Sequence, residues 1–293
     1  MHPVFRSAEL DERFLTQGFV AAPFLSVDEV SALRESLGEG VLVGDRGFRD
    51  TAALPLDFEA KQRIHALLSA AFADGADELL EAYAPVMSSV ITKWPGEDSQ
   101  KELHRDFRLV DERRYRSVTI WVPLVDVDEH NGALCVLPGS HLVDAGPRSV
   151  PRAPGQVLPP LDCTDLVTVP MRAGDAVLFD MAVAHGSALN RSDRPRPAAA
   201  VAYAPAEARL SLDFCHPDDR VEEFEVAHPD VFRQLDWAAP PPGARSLGEV
   251  STAARGCSVE EFVERSRAIA RSNGGAPERG AEQWHRGVRG RRR

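Results

Sequence analysis

At 293 residues and 43% hydrophobic content, the chain can build one large domain or two ordinary ones, which excludes disorder throughout. Its 34 basic side chains are outnumbered by 45 acidic ones, a net charge of −11 whose surface field repels nucleic-acid phosphates and anionic bilayers, so neither is an expected partner. No window approaches the roughly 20 apolar residues of a bilayer span, the opening MHPVFRSAELDERFL has no basic segment leading into an apolar one, and Cys135, Cys163, Cys215 and Cys257 form no C-x-x-C pair; a soluble, cytoplasmic chain with inert core thiols is expected.

The first 85 residues read as a helical cover. Ser26 and Glu29 in SVDEVSALRESL form a capping box, in which the hydroxyl serves a free N–H of the first turn and the carboxylate returns to the cap N–H. A helix over about 27–37 follows. In FEAKQRIHALLSAAFADGADELLEAY the residues Ile64, Leu67, Leu68 and Phe72 make a helical stripe, which Gly75 is expected to interrupt.

From about Pro85 the pattern turns extended. VMSSVITKW, SVTIWVPLV, GALCVLP, DLVTVP, DAVLFD and AAAVAYA are short runs rich in Val, Ile, Thr and aromatics, divided by polar turns with no helices between them. They predict antiparallel pairing in a sandwich or barrel over 86–215, with Asn131-Gly132 as a tight turn between strands. The stretch from His141 to Asp165 carries five prolines and reads as an ordered excursion or lid over the sheet.

Towards the end, WAAPPPGARSLGE reads as a stiff connection, SVEEFVERSRAIARS as a short amphipathic helix and NGGAPERGAEQWHRGVRGRRR as a frayed basic tail. The expected organisation is a single domain over 1–240, with a cover over 1–85 and a β core over 86–215, followed by the helix and tail over 241–293.

The strongest chemical signal is His104-Arg105-Asp106. On an extended segment residues i and i+2 share a face, so an imidazole and a carboxylate converge without a special loop. In a chain with nine histidines an H-x-D alone is weak, but His185 follows the run DAVLFD in the same β-rich region. Two histidines and one carboxylate bind one face of a metal and leave the other positions open, the arrangement non-heme Fe(II) oxygenases need; a structural zinc would want four closed ligands, commonly thiolates. A 2-oxo acid chelating such a metal needs a cation for its distal carboxylate, and Arg196, on the approach to the next predicted strand, with Ser187 suits that task. Arg191 and Arg194 on the intervening turn read as solvated charges.

With these elements in order, the region resembles the phytanoyl-CoA dioxygenase family of Fe(II)- and 2-oxoglutarate-dependent oxygenases, through HRD at 104–106, TIWVPLVDVDEHNGALCVLPGSH at 119–141 and HGSALNRSDRPR at 185–196. The resemblance covers about residues 85–205. It implies a double-stranded β-helix, or jelly-roll, core packed against the N-terminal helices. It also implies His104, Asp106 and His185 as iron ligands, and Arg196 with Ser187 as the seat of the far carboxylate of 2-oxoglutarate. The implied reaction consumes O2 and 2-oxoglutarate, releases succinate and CO2, and hydroxylates a small-molecule substrate. Related halogenases carry Gly or Ala in place of the carboxylate, so Asp106 favours hydroxylation.

Trp121 reads equally as a pocket wall and as a core aromatic. Lys93 reads either as a cation for an anionic cosubstrate or substrate group, or as an edge-strand lysine that blunts aggregation. His141 in PGSH reads as the holder of its turn, and His65, His130, His216, His228 and His285 as satisfied or solvated. Arg108, Arg113, Arg114 and Arg116 are dense for an acidic protein: they read as an exposed loop balanced by Asp111 and Glu112, or as a seat for an anionic group of the substrate. A monomer or homodimer is expected. Two alternatives stay open, a jelly roll that binds metal or ligand without oxidation and an oxygen-independent metal enzyme on the same barrel.

Overall fold

The computed structural model describes residues 2–38, 45–152, 158, 166–250 and 258–272. Helix α1 (Ala8–Gln17), β1 (Phe19–Pro23), α2 (Val27–Leu37), β2 (Phe48–Asp50) and α3 (Phe58–Leu79) come first. Next are β3 (Tyr83–Lys93), β4 (Lys101–His104), β5 (Val118–Pro123), β6 (Leu134–Leu137), β7 (Ser149–Val150), β8 (Val167–Val169), β9 (Asp175–Asp180), β10 (Ala184–Ser187), β11 (Arg196–Pro205), β12 (Leu210–Cys215) and β13 (Val221–Val226). The chain continues through α4 (Asp230–Gln234), β14 (Arg245–Val250) and α5 (Val259–Ser272).

Strands β1, β9, β5, β11, β3 and β2 pair in that order into a six-stranded antiparallel sheet, and β4, β10, β6 and β8 into a four-stranded one. Side-chain alternation explains why these strands read as nearly continuous apolar runs. On β5, Ile120 and Val122 join the core beneath the helices while Trp121 joins the core between the sheets; on β11, Ala199 and Val201 take the first side and Ala198 and Ala200 the second. The outer core includes Phe24, Val30, Leu33, Leu68 and Phe72 from the helical side, and the inner core Leu134, Val136 and Val169 of the smaller sheet. Each fully buried Val, Leu or Ile stabilises by about 1.5–3 kcal/mol, so both faces of the larger sheet contribute. The two sheets facing across the inner core form the expected jelly roll, with helices on its outer side.

The cover departs from expectation in two ways. It is not wholly helical: β1, the apolar run FVAAP, pairs with β9, and β2 pairs with β3, so residues 1–85 supply both edges of the larger sheet. Nor does Gly75 interrupt α3, which runs through it. A Cβ there would sit 2.6 Å from the Phe24 ring, which packs edge-on against Phe72 with centroids 5.0 Å apart, so the glycine admits an aromatic rather than breaking the helix. The capping box of α2 forms as read, with Ser26 N–H donating to Glu29 Oε2 at 2.6 Å and Glu29 N–H to Ser26 Oγ at 3.3 Å.

Asn131-Gly132 does close a turn, with Asp128 Oδ1 accepting from the His130 and Asn131 N–H groups. It is not a hairpin turn, because the flanking β5 and β6 belong to different sheets.

Three strands beyond residue 205 join β7 in a third sheet, ordered β14, β13, β12, β7. Part of the expected stiff connection is therefore strand: β14 pairs with β13, and Arg245 Nε donates to Glu225 Oε2 at 2.8 Å across the pair. The Pro-Gly cluster before it gave no hint of this non-local partner. The chain on either side of residue 240 thus shares one sheet. Helix α5 forms as expected and sets Phe262 and Val263 against Leu103, Leu137 and Val143 behind the smaller sheet. Most of the expected lid (153–157 and 159–165), the basic tail, His285, Cys163 and Cys257 lie outside the described residues, within which Cys135 and Cys215 are buried. No helix among the described residues is long and apolar enough to cross a membrane.

Candidate active site

Strand β10 pairs with β4 on one side and β6 on the other, and its register sets His185 opposite His104. Asp106 lies just past the end of β4, where its N–H donates to the Met181 carbonyl at 3.0 Å and its own carbonyl accepts from Arg148 Nε at 2.7 Å. Its Oδ1 thereby stands 3.6 Å from His104 Nε2 and 3.8 Å from His185 Nε2. The three ligand atoms lie within 4.8 Å of one another, the spacing of groups that can share one ion.

The other ring nitrogens are already committed. His104 Nδ1–H donates to the Glu102 carbonyl at 2.8 Å and His185 Nδ1–H to the Val183 carbonyl at 3.1 Å, each two residues back along its own chain. This fixes the tautomer and leaves both Nε2 lone pairs for a metal. Burial, reinforced by the neighbouring His185, pushes His104 down to about 4, and burial also lowers His185, so both imidazoles are neutral at pH 7. Desolvation alone would raise Asp106, but the two imidazoles beside it outweigh that and hold the carboxyl below its ordinary range. Two neutral nitrogens and one carboxylate make a donor set that fits a divalent ion.

The triad opens into a cavity of about 500 Å³ that Trp121, Ser187 and Arg196 also line. Alanines make the room: Ala200 and Ala202 present only methyl groups to it, and Ala200 is the cross-strand partner of Trp121. Arg196 begins β11, as its position after His185 predicted. Its guanidinium carbon lies 5.2 Å from the centroid of the Trp121 ring. Arg196 is 2% exposed, and its Nε and Nη1 have no acceptor among the described residues. A buried guanidinium with spare donors in a cavity is the partner a carboxylate requires, so the 2-oxo acid also fits. Trp121 serves as both cavity wall and core aromatic.

Lys93 does not reach the cavity. It stands across from Arg196 in the β3–β11 register and donates from Nζ to the carbonyls of Ser187, at 3.3 Å, and Ala188. The edge-strand reading fails too, since at Lys93 β3 pairs with β11 on one side and β2 on the other and the side chain is fully buried. Burial, with Arg196 beside it, pushes its ammonium down to about 6. Its work is structural: it ties the end of β10, and so Ser187, to β3.

The arginine cluster does not reach the cavity either. Arg108 bonds Asp213 and Glu223 of the third sheet, Arg113 bonds Asp111, Arg114 lies over the Tyr115 ring and Arg116 pairs with Asp180. Arg191 and Arg194 are exposed on their turn. His141 donates from Nε2 to the Leu15 carbonyl at 3.2 Å, the turn-holding bond its sequence suggested. Residues the sequence reading passed over do line the cavity, among them Asp50, Lys101, Arg152, Phe179 and Trp237. Lys101 carried a legible signal, being on the H-x-D strand opposite Ser187; Trp237 carried none.

Residues 14–198 match the family model for phytanoyl-CoA dioxygenase. The chain is 31% identical over 151 residues to the dioxygenase trt7 of Aspergillus terreus, a match over 49% of this chain and 47% of that protein. It thus spans about half the length of that curated relative. Among solved structures, the non-heme alpha ketoglutarate dependent carbocyclase SnoK from nogalamycin biosynthesis shares 23% identity over 72% of this chain and 89% of its own, with a TM-score of 0.50. EctD from S. alaskensis, crystallised with 2-oxoglutarate and 5-hydroxyectoine, shares 21% identity over 70% of this chain and 78% of its own, with a TM-score of 0.51. These likenesses show a common fold. The family match takes in the H-x-D pair, the distal histidine and the arginine of the cavity, and the chain belongs to the phytanoyl-CoA dioxygenase family.

Proposed function

We propose that this chain is an Fe(II)- and 2-oxoglutarate-dependent dioxygenase that hydroxylates an unactivated C–H bond of a small biosynthetic or amino-acid-like molecule, releasing succinate and CO2. The observation that carries the reading is Arg196: a buried guanidinium with two unmatched donors lines the same cavity as a two-histidine, one-carboxylate cluster. An unmatched buried cation beside a triad with open coordination positions is what a metal-chelated 2-oxo acid requires, and this supports the oxygenase reading over the two alternatives.

Iron and 2-oxoglutarate, when bound, would supply the oxygen-activating chemistry. The chain supplies placement. His104, Asp106 and His185 would hold the metal, with both imidazoles oriented by the Glu102 and Val183 carbonyls. Arg196 and Ser187 would hold the distal carboxylate, with Trp121 against the guanidinium and Lys93 fixing the strand end behind Ser187. Trp121, Leu134 and Phe179 of the inner core give the cavity apolar walls.

The test is anaerobic addition of Fe(II) and 2-oxoglutarate, read by the visible metal-to-ligand charge-transfer band. The wild type should develop the band, Asp106→Ala should lose it through the metal and Arg196→Gln through the cosubstrate. A band undiminished in either variant overturns the assignment.

A further inference from the structure

Three sheet edges meet at the mouth of the cavity: β2 ends the six-stranded sheet, β4 the smaller one and β7 the third. They bring Phe48 and Asp50, Lys101, and Arg152 to one lining. Trp237, just past α4, joins them, its ring edge-on to Phe107 with centroids 6.3 Å apart. Trp237 lies beyond residues 14–198, so this one part of the lining comes from outside the family-matched stretch.

The charges at this mouth do not balance. Ferrous iron and 2-oxoglutarate carry equal and opposite charge, Asp106 goes with the metal and Arg196 with the cosubstrate. Arg105 also lines the cavity, but its guanidinium donates to the Ala145 carbonyl at 3.0 Å and lies over the Phe262 ring. Among the described residues that line the cavity, Asp50 is the carboxylate left to Lys101 and Arg152, while Glu102 acts on Lys101 from outside the lining. Among the described residues no carboxylate lies within 4.0 Å of either cation. Lys101 Nζ instead sits 4.8 Å from the centroid of the Phe48 ring, a contact that orients an ammonium without neutralising it.

We infer that Lys101 and Arg152 receive the carboxylate of an organic acid whose apolar body lies against Met87, Phe107, Met181 and Trp237, so that the substrate is a small amphipathic acid; the inference rests on the oxygenase reading. One cation in excess among the lining residues matches a monoanion, whereas a phosphate monoester carries about −1.5 to −2 at neutral pH. Placing the acid at the rim leaves the rest of the molecule to reach inward past Phe48 and Trp237 towards the metal ligands.

The experiment is calorimetric titration of anaerobic protein loaded with Fe(II) and saturating 2-oxoglutarate, which fills the Arg196 seat. Probes are 3-phenylpropionate, 3-phenylpropionamide and phenyl phosphate. The acid should bind about tenfold or more tightly than the amide, the order expected of a charge-assisted hydrogen bond, and more tightly than the phosphate. The double variant Lys101→Gln/Arg152→Gln should lose this preference, and Lys101→Arg should keep it. Equal binding of acid and amide, no binding of the acid, a preference for the phosphate, or an acid preference that survives in the double variant overturns the inference. The affinity for 2-oxoglutarate, measured in the same wild-type samples, separates the two readings. A wild type that fails to bind it sinks the oxygenase proposal, while one that binds it without preferring the acid sinks only the substrate assignment.

Discussion

His185 stands directly opposite His104 in the antiparallel pairing of β10 with β4, their ring centroids 4.4 Å apart. Two of the three candidate ligands are thus a cross-strand pair, and strand register rather than a loop sets their separation. Gly186 permits this close pairing, because a Cβ there would lie 2.8 Å from the Lys101 carbonyl oxygen. Gly186→Ala should push the strands apart, weakening iron binding by about tenfold and destabilising the fold by about 1–3 kcal/mol. Iron titration and thermal unfolding check both figures.

Asp106 is held from behind. Arg148 Nε donates to its backbone carbonyl at 2.7 Å, while Arg148 Nη1 donates to Glu112 Oε2 at 2.8 Å, a pair of a buried guanidinium and a half-buried carboxylate. Arg148→Met leaves the half-buried Glu112 carboxylate without its bonded partner, at an expected cost of about 1–3 kcal/mol. Adding Glu112→Gln should return most of that stability. Metal affinity should stay about 10–100-fold down in both variants, since the bond to Asp106 is gone in each. Recovery of both properties together would show that Arg148 acts on the fold alone.

Arg196 is expected to set stability against function. Its unmatched Nε and Nη1 are buried without acceptors, and such a group costs about 1–3 kcal/mol. Arg196→Met should therefore raise the unfolding free energy of the ligand-free protein while abolishing the stabilisation that 2-oxoglutarate gives the wild type. Thermal unfolding with and without the cosubstrate measures both. A variant less stable than wild type, or one still stabilised by 2-oxoglutarate, counts against the assignment.

Acid should weaken the fold through its buried histidines. Burial, with Arg116 nearby, pushes His141 down to about 4, against 6.5 for the free side chain. Between those values the unfolded chain binds more protons than the folded one, so stability is full above about 6.5 and falls as pH drops towards 4. The share of His141 approaches about 3 kcal/mol below that window. His65, also pushed down to about 4 by burial, adds loss in the same direction. His141→Gln can keep the donor to the Leu15 carbonyl and should flatten this part of the stability–pH profile, measured by urea unfolding at intervals from pH 7 to 4.

The sequence alone determined what depends on spacing along one element. Short runs rich in Val, Ile, Thr and aromatics marked the strands, Ser26 and Glu29 marked a helix start, and the two-residue step in His104-Arg105-Asp106 put imidazole and carboxylate together. Arg196 was legible because it follows His185 across a single turn. Tertiary structure decided what depends on which edges meet. Lys93 looked like a cation for a ligand, yet its register partner and the β10 carbonyls claim it. Arg108 read as part of an exposed charged loop or as a substrate contact, yet Asp213 and Glu223, over 100 positions away, bind it in the third sheet. Phe48, Lys101, Arg152 and Trp237 share a cavity mouth only because three sheets end there. Local pattern fixes the face a side chain takes; what stands opposite that face follows from pairings between distant segments, and those pairings form only when the whole core closes.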